Sequence, residues 1–128
     1  MAKILLIDDE RHIRERFSAE LSEDGYSVEA LSSCCHIMKR IELSKPDLVV
    51  LDIKLVDCDG LEILEGIRSA YPNLPIILWS AYDSYRYDTR SLAADYYVLK
   101  SFDLTELKER MARSLDAAAL PKWLALSA

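Results

Sequence analysis

The 128-residue sequence predicts an α/β fold, in which a doubly wound sheet of five parallel strands carries helices on both faces. Five short apolar runs alternate along the chain with five amphipathic stretches. Three of the runs are nearly continuous Ile, Leu and Val, as expected for parallel strands that are covered on both sides. Strands that alternate with helices form parallel sheets with right-handed crossovers, so this pattern favours one α/β domain.

The apolar runs give the strand positions. The second run alternates apolar and polar residues, which predicts a position at or near an edge of the sheet. The predicted strands are Lys3–Ile7, Tyr26–Leu31, Leu48–Leu51, Pro75–Trp79 and Tyr96–Leu99.

Apolar residues at helical spacing follow each strand. The first helix ends at Gly25, a good C-cap, and the second, from about Ser33 to Leu43, ends before Pro46. The inward-facing residues of the first helix are Ile13, Phe17 and Leu21, and those of the second are Ile37 and Ile41. In the third helix they are Leu61, Leu64 and Ile67, and in the fifth Leu104, Leu107, Met111 and Leu115.

The last two stretches differ in how strongly their sequences favour a helix. The fourth, from about Ser84 to Ala94, holds three β-branched or aromatic residues and only one Leu, and such residues favour a helix only weakly. The fifth begins with Asp103 as N-cap and Glu106 three residues later, a capping-box pattern. Residues 119–128 are predicted to be a C-terminal tail or the start of a linker.

Charge and hydropathy argue against several classes of function. The net charge of −6 and the pI of about 4.9 argue against direct binding of nucleic acid or of an anionic membrane surface. No apolar run approaches the roughly 20 residues of a membrane span, and the N-terminal apolar run is too short for a signal peptide. The sequence therefore predicts a cytoplasmic protein that does not contact membranes.

The cysteines and histidines do not form a metal-binding pattern. Cys34, Cys35 and Cys58 lack the spacing of metal ligands, so we expect reduced cysteines on or beside helices. His12 and His36 lack a partner three or four residues away and are predicted to be surface residues.

Polar residues follow four of the strands, and they carry the functional signal. Asp8 and Asp9 come after the first strand, Asp52 after the third, Ser80 after the fourth and Lys100 after the fifth. Taken singly, each could be a helix cap, a turn residue or a solvated strand end. The carboxyl ends of parallel strands share one edge, however, so these side chains are expected to converge in a single cleft.

Three neighbouring carboxylates repel one another unless a proton or a cation neutralises them. A hard divalent cation with oxygen ligands fits best, and Mg²⁺ leaves room for a phosphoryl oxygen. One carboxylate could then attack phosphorus, while Lys100 and Ser80 hold the remaining phosphoryl oxygens.

The chain resembles the receiver domains of bacterial two-component response regulators, including chemotaxis-regulator-like members, over roughly residues 2–118, and residues 1–118 are predicted to be one receiver domain. The resemblance lies in Asp8-Asp9, in Asp52 followed by Asp59-Gly60, in Ser80-Ala81, and in Tyr97 three residues before Lys100. It implies the flavodoxin-like strand order 2-1-3-4-5.

The resemblance also implies roles for the residues at the strand ends. Asp52 would accept a phosphoryl group, and Lys100 and Ser80 would contact that group. Mg²⁺ would be held by Asp9 and Asp52 directly, by Asp8 through water and by the Lys54 carbonyl. Catalysis would be limited to the phosphorylation and dephosphorylation of the domain itself, without turnover of a separate substrate.

Further residues are implied in switching and access. Tyr97 would turn inward as Ser80 moves toward the phosphate, although a plain amphipathic strand residue is the alternative. Ala81 would leave room for the phosphoryl group. Tyr82 and Lys54, in contrast, depart from the family pattern as bulky neighbours of the site, and they could screen attacking water and slow loss of the phosphoryl group.

Two further positions depart from the family pattern. Ser101 stands where proline usually follows the lysine, so we expect either a cis Lys100–Ser101 bond or a trans bond with a displaced loop. Val56 replaces another common proline, which predicts a less rigid loop after Asp52.

The implied partners are a sensor histidine kinase or a histidine phosphotransfer protein. Output would pass through the fourth helix, fifth strand and fifth helix to an effector domain or protein, and a homodimer through the same surface is an open alternative. A phosphorylation-independent, receiver-like docking module is the alternative function. A phosphohydrolase is less favoured because Lys54 stands where such enzymes have a second Asp, and a nucleotide site is less favoured because no Gly-rich turn follows the first strand.

Overall fold

The computed structural model describes residues 1–119, which form a five-stranded parallel sheet with the strand order β2-β1-β3-β4-β5. This order confirms the predicted fold class and its 2-1-3-4-5 topology. The second strand lies at an edge of the sheet, as its alternating sequence predicted. The strands are β1 (Lys3–Ile7), β2 (Ser27–Leu31), β3 (Leu48–Leu51), β4 (Ile76–Ser80) and β5 (Tyr96–Leu99).

Four α-helices cover the two faces of the sheet in the described part of the chain. Apolar residues of α2 and α3 share one buried cluster with the sheet, and those of α1 and α4 share the other. Alternate residues of β1 enter the two clusters, Leu5 and Ile7 on one side and Ile4 and Leu6 on the other. The helices are α1 (Arg11–Glu23), α2 (Ile37–Ser44), α3 (Gly60–Ala70) and α4 (Thr105–Ala119).

The predicted fourth α-helix is wrong. The segment instead forms two short 3₁₀ helices, Ser84–Tyr87 and Thr89–Ala93. Asp88 between them has an extended backbone, which interrupts the helix. Its carboxylate accepts a hydrogen bond from the Arg90 N–H at 2.9 Å and thereby caps the second 3₁₀ helix. The weak helix propensity of this stretch is consistent with that break.

The predicted start of the second helix is also wrong, because α2 begins at Ile37 rather than near Ser33. His36 has a left-handed backbone with φ of 62°, which a continuing helix does not allow. The Ser33 hydroxyl accepts a hydrogen bond from the Cys35 N–H at 3.0 Å and so stabilises a turn in place of the first helical turn.

The expectation of reduced cysteines is contradicted as well. Cys34 and Cys58 form a disulfide, and Cys35 is free and exposed. The two bonded cysteines lie in different loops that fold toward each other, an arrangement that their spacing along the chain does not reveal.

The remaining expectations concern the end of the chain and one peptide bond. Within residues 1–119 there is no cis peptide bond, so the Lys100–Ser101 bond is trans.

No helix within residues 1–119 is long and apolar enough to cross a membrane. The Asp103 carboxylate accepts a hydrogen bond from the Thr105 N–H at 2.9 Å at the start of α4. Of the predicted tail, 120–128 lies outside the described residues.

Candidate functional site

The predicted site residues lie at the carboxyl edge of the sheet. Asp8, Asp52 and Lys100 directly follow strands β1, β3 and β5, and Ser80 is the last residue of β4. Backbone hydrogen bonds continue the strand ladders into the site, from Asp52 N to the Ile7 carbonyl at 3.0 Å and from Lys100 N to the Ser80 carbonyl at 2.6 Å. The sheet therefore fixes the backbone of the site, as the positions of these residues predicted.

Lys100 joins two of the carboxylates. Its Nζ donates to Asp8 Oδ2 at 2.6 Å and to Asp52 Oδ2 at 3.2 Å. The exposed fraction is 12% for the Lys100 side chain, 0% for that of Asp8 and 8% for that of Asp52. The same ammonium lies 5.2 Å from the centre of the Trp79 ring. Lys100 thus neutralises a buried acidic pair at the point where water is largely excluded.

The charges of this cluster shift the acidity of its members. Burial raises the pKa of Asp52 to about 6, and although Lys100 opposes the shift, the charges of Asp8 and Asp9 add to it. Burial works to lower the pKa of Lys100, but its hydrogen bonds and its attraction to Asp8 and Asp52 raise that pKa above the ordinary value. The three carboxylates of Asp8, Asp9 and Asp52 carry more negative charge than the single ammonium of Lys100 balances, which favours a cation beside Asp52.

The loop between β3 and α3 closes the acidic side of the site. The Val56 N–H donates to Asp9 Oδ2 at 3.2 Å, and Lys54 pairs with Asp59 in an isolated antiparallel bridge. The Asp59 carboxylate accepts a hydrogen bond from the Leu61 N–H at 2.9 Å and thereby caps α3. Lys54, whose carbonyl is predicted to be a ligand, lies in this loop, two residues before the Val56 N–H that donates to Asp9.

Ser80 and Tyr97 meet through the segment that follows β4. The buried Ser80 hydroxyl accepts a hydrogen bond from the Tyr82 N–H at 3.0 Å, and the Tyr97 hydroxyl donates to the Tyr82 carbonyl. Burial of Tyr97 raises the pKa of its phenol, and the Arg86 guanidinium lies 4.7 Å from the ring centre. Exposed Ala81 lies between the two hydrogen-bonded residues. The two predicted switch residues thus both contact the backbone of Tyr82, one at its N–H and the other at its carbonyl.

The oxygen donors at this edge fit a hard divalent cation. Asp8, Asp9 and Glu10 each place a carboxylate oxygen within 4.8 Å of the others, and Asp52 shares the Lys100 ammonium with Asp8. Carboxylate oxygens are the ligands that Mg²⁺ prefers. Glu10 was missed by the sequence analysis, although its position directly after Asp8-Asp9 was the available signal.

Comparison with known proteins identifies the family. The family model for the response regulator receiver domain matches residues 4–112. The chain belongs to the response regulator receiver family. The resemblance seen in the strand-end residues is therefore confirmed, and with it the type of signalling domain: a receiver of two-component systems.

Curated and solved relatives agree with this assignment. Response regulator MprA of Mycobacterium sp. (strain KMS) is 40% identical over 111 residues, which are 85% of this chain and 48% of that protein. The chain thus spans about half the length of the curated relatives it matches. The response regulator TrrA of Thermotoga maritima, in complex with Mg²⁺-BeF, is 41% identical with a TM-score of 0.86, and the match covers 89% of this chain and 99% of TrrA.

A further structure of TrrA shows it in complex with the histidine kinase ThkA. That match has 42% identity and a TM-score of 0.84, and it covers 90% of this chain and 99% of the matched chain. A CheY-like receiver domain protein from Methanospirillum hungatei JF-1 is 30% identical with a TM-score of 0.86, covering 92% of this chain and 96% of the other. Receiver domains of similar sequence and fold thus bind Mg²⁺ and a histidine kinase.

Contacts between loops were the second feature that the sequence analysis missed in this receiver. Arg90 of the second 3₁₀ helix donates to the Asp59 carboxylate at 3.3 Å and so joins that segment to the loop after β3. Lys54 Nζ lies 5.1 Å from the centre of the Tyr82 ring, which brings two predicted neighbours of the site together. Neither contact has a sequence signature, because the partners lie far apart along the chain.

The raised pKa of Asp52 predicts how the metal-free receiver responds to pH. A folded-state pKa of about 6 against an ordinary 3.8 means that the fold favours the protonated acid. The contribution of protonated Asp52 to the free energy of unfolding is fully present below the pKa of the unfolded state, and it is lost as the pH rises through 6. Asp52→Asn mimics the protonated acid and should therefore stabilise the protein at pH 8. The expected gain in the free energy of unfolding is about 1–2 kcal/mol, which is less than the full value of the pKa shift because Asp52 is partly accessible to solvent.

The measurement is the free energy of unfolding by urea in EDTA at several pH values. The difference between Asp52→Asn and wild type should be small at pH 4, grow up to about pH 6 and stay constant above it. Asp116→Asn, an exposed carboxylate of α4, is the matched control and should leave the pH profile unchanged. A variant less stable than wild type at pH 8 would contradict the inferred cost of burying the ionised Asp52 carboxylate.

Proposed function

We propose that this receiver domain is a phosphorylation-dependent switch whose acceptor is Asp52. The observation that carries the proposal is the buried carboxylate of Asp52, which shares the Lys100 ammonium with Asp8 at one sheet edge. A nucleophile, a fixed cation and further acidic ligands at one point are what phosphoryl transfer to a carboxylate requires.

The proposed reaction needs few chemical groups. A carboxylate oxygen of Asp52 attacks phosphorus, and the new oxygen–phosphorus bond forms as the bond to the leaving group of the donor breaks. Lys100 then balances charge on the phosphoryl oxygens, and the Ser80 hydroxyl donates to one of them. Mg²⁺, held by Asp9, Asp52 and the Lys54 carbonyl and through water by Asp8, would neutralise charge shared by the carboxylates and the phosphoryl group.

The switch itself is proposed to use Ser80 and Tyr97. The Ser80 hydroxyl now accepts from the Tyr82 N–H, so turning toward a phosphoryl group would break that bond. The Tyr97 hydroxyl is bonded to the Tyr82 carbonyl, and movement of this segment would release the phenol to turn inward. Phosphorylation would thereby change the surface formed by the two 3₁₀ helices, β5 and α4.

Access to Asp52 is proposed to depend on the residues after Ser80. Ala81 is small and exposed, which leaves an approach for the phosphoryl donor. Tyr82 is 49% exposed and packs edge-on against Tyr85, with the Lys54 ammonium over its ring. This pair is placed to screen attacking water and so to prolong the phosphorylated state.

The proposed partners follow from the relatives. TrrA occurs in complex with a histidine kinase, and this supports a sensor histidine kinase, or a histidine phosphotransfer protein, as the phosphoryl donor. The curated relatives are about twice as long as the matched segment, and this supports an effector domain or protein as the recipient of the signal. A homodimer through the output surface is a second proposal, and we place the switch in the cytoplasm.

Intact mass after incubation with acetyl phosphate and Mg²⁺ tests the proposal. Wild type should gain one phosphoryl group, and Asp52→Ala should gain none, because Asp8, the other carboxylate at the Lys100 ammonium, is fully buried and is not accessible to the donor. Asp116→Ala, which removes an exposed carboxylate of α4, is the matched control and should react as wild type does.

Three other results would have distinct meanings. An adduct on Asp52→Ala would rule out Asp52 as the acceptor. No adduct and no Mg²⁺ binding in wild type would favour the phosphorylation-independent docking module. No adduct despite clear Mg²⁺ binding would instead show that this donor does not replace the kinase or that hydrolysis is fast. Samples quenched within seconds distinguish these cases, because fast hydrolysis still leaves a transient adduct.

A further inference from the structure

The disulfide between Cys34 and Cys58 joins two loops beside the phosphorylation site. Cys34 follows β2, and Cys58 lies in the loop between β3 and α3, 24 positions later, with 6.5 Å between their Cα atoms. That Cα separation lies in the range that a disulfide spans without backbone movement. Both side chains are half-buried, whereas the neighbouring Cys35 is exposed and free. None of the roles assigned so far uses this pair.

The segment that carries Cys58 is the one that contacts the acidic cluster. Residues 53–59 will be called the acidic-side loop. Its Val56 N–H donates to Asp9, and its Asp59 accepts from Arg90 of the second 3₁₀ helix. Val56 is 90% exposed, and Asp57 and Asp59 are exposed as well, whereas Ile53 and Leu55 of the same loop are buried in the core. A covalent link at Cys58 therefore acts on the exposed half of the loop, 56–59, which has less apolar packing than 53–55.

The other end of the link is firmly anchored. The Ser33 hydroxyl donates to the Asp57 carboxylate, and Cys34 Sγ lies 3.6 Å from Asp57 Oδ1. Two residues after Cys35, the buried Ile37 begins α2 within the core. These contacts hold the two loops together without the covalent bond, so the two thiols of the reduced protein lie close enough to react.

We propose that Cys34 and Cys58 are a redox-responsive pair, closed by exchange with a low-molecular-weight disulfide, and that closure restricts the acidic-side loop and strengthens Mg²⁺ binding. The second half of this inference rests on the proposed Mg²⁺-dependent function. Restricting the loop before the cation arrives removes part of the ordering cost of placing the Lys54 carbonyl and the Val56 N–H. The pair would thus adjust how readily the receiver is phosphorylated.

The exchange balances in two steps. The thiolate of one cysteine attacks a sulfur of the small disulfide, a mixed disulfide forms, and one small thiolate leaves. The second protein thiolate then attacks the protein sulfur of the mixed disulfide, which forms the Cys34–Cys58 bond and expels the second small thiolate. The two protons of the protein thiols end on the two small thiols, so the cysteines are oxidised and the small disulfide is reduced.

The test uses the full chain equilibrated with oxidised or reduced glutathione. Alkylation followed by intact mass should find three reactive thiols in the reduced protein and one in the oxidised protein, the one being Cys35. Hydrogen exchange in the peptide that contains 53–59 should be severalfold slower in the oxidised form. Cys35→Ser is the matched control and should keep this redox response, whereas the Cys34→Ser/Cys58→Ser double variant should lose it.

Mg²⁺ affinity is measured separately, by the fluorescence of Trp79 in a Trp123→Phe background. The oxidised form should bind Mg²⁺ about fivefold more tightly. Three reactive thiols after oxidation, or equal exchange in both redox states, would overturn the inference. Slower exchange with equal Mg²⁺ affinity would overturn the coupling to the metal. Slower exchange with no Mg²⁺ binding in either form would support the loop restriction and contradict the proposed function instead.

Discussion

Lys100→Met should destabilise the metal-free protein by about 3 kcal/mol at neutral pH, because it leaves two buried carboxylates without their cation. Asp8 is fully buried, and its Oδ2 receives the 2.6 Å bond from Lys100. Asp52 loses the one attraction that counters its burial. Met retains most of the side-chain volume, so the loss reports charge and hydrogen bonding rather than a cavity. Urea denaturation in EDTA at pH 7.5 measures it.

The same change should slow phosphorylation from acetyl phosphate about 100-fold or more, as expected when a fixed charge at a transferring group is removed. Lys54→Met is the matched control for stability, since Lys54 is exposed and its ammonium lies 5.1 Å from the centre of the Tyr82 ring rather than beside a buried carboxylate. It should change stability by less than about 0.5 kcal/mol.

A double variant separates charge pairing from other causes. Asp8→Asn removes the closer partner of Lys100, so Asp8→Asn/Lys100→Met should be more stable than the sum of the two single changes implies. Purely additive losses, or a Lys100→Met loss below about 1 kcal/mol, would show that the ammonium is not needed to balance the buried acids.

The strand ends were predictable because the geometry of a parallel sheet leaves little freedom. Once β1, β3, β4 and β5 are parallel neighbours, the residues that follow them must meet at one edge. The pairing of Lys100 with Asp8 and Asp52 follows from that register and from the need to neutralise buried charge. Apolar runs therefore carry enough information to predict the centre of the site.

The contacts around the site were not predictable, since they depend on the paths of loops. The Cys34–Cys58 bond and the Arg90–Asp59 ion pair each join segments that no periodicity relates. The break of the predicted fourth helix at Asp88 depends on a local side-chain bond that competes with helical backbone bonds. Such choices are decided by a few hydrogen bonds, and propensity alone does not resolve them.

Gly60→Ala is expected to be as costly as the loss of Lys100. A Cβ at this position would lie 2.3 Å from the Asp52 carbonyl oxygen, 2.7 Å from the Ile53 Cα and 2.8 Å from the Ile53 carbonyl oxygen. All three are backbone atoms at the end of β3, where the Gly60 N–H also donates to the Ile53 carbonyl at 2.8 Å. A side-chain rotation cannot relieve the clash, so the loop or α3 must shift, at about 3 kcal/mol.

Gly66→Ala is the control for this change. Gly66 lies on the exposed side of α3, and a Cβ there would have nothing within 4 Å among the described residues. Its replacement should stabilise the protein by about 0.5–1 kcal/mol, because alanine favours the helix. Both variants replace one glycine by alanine and so have the same composition. Changes of opposite sign in the free energy of unfolding by urea would therefore show that the close approach of the backbone at Gly60 causes the loss. A small loss for Gly60→Ala would mean that the acidic-side loop moves freely against Asp52, and such a loop could not hold the Lys54 carbonyl for a cation.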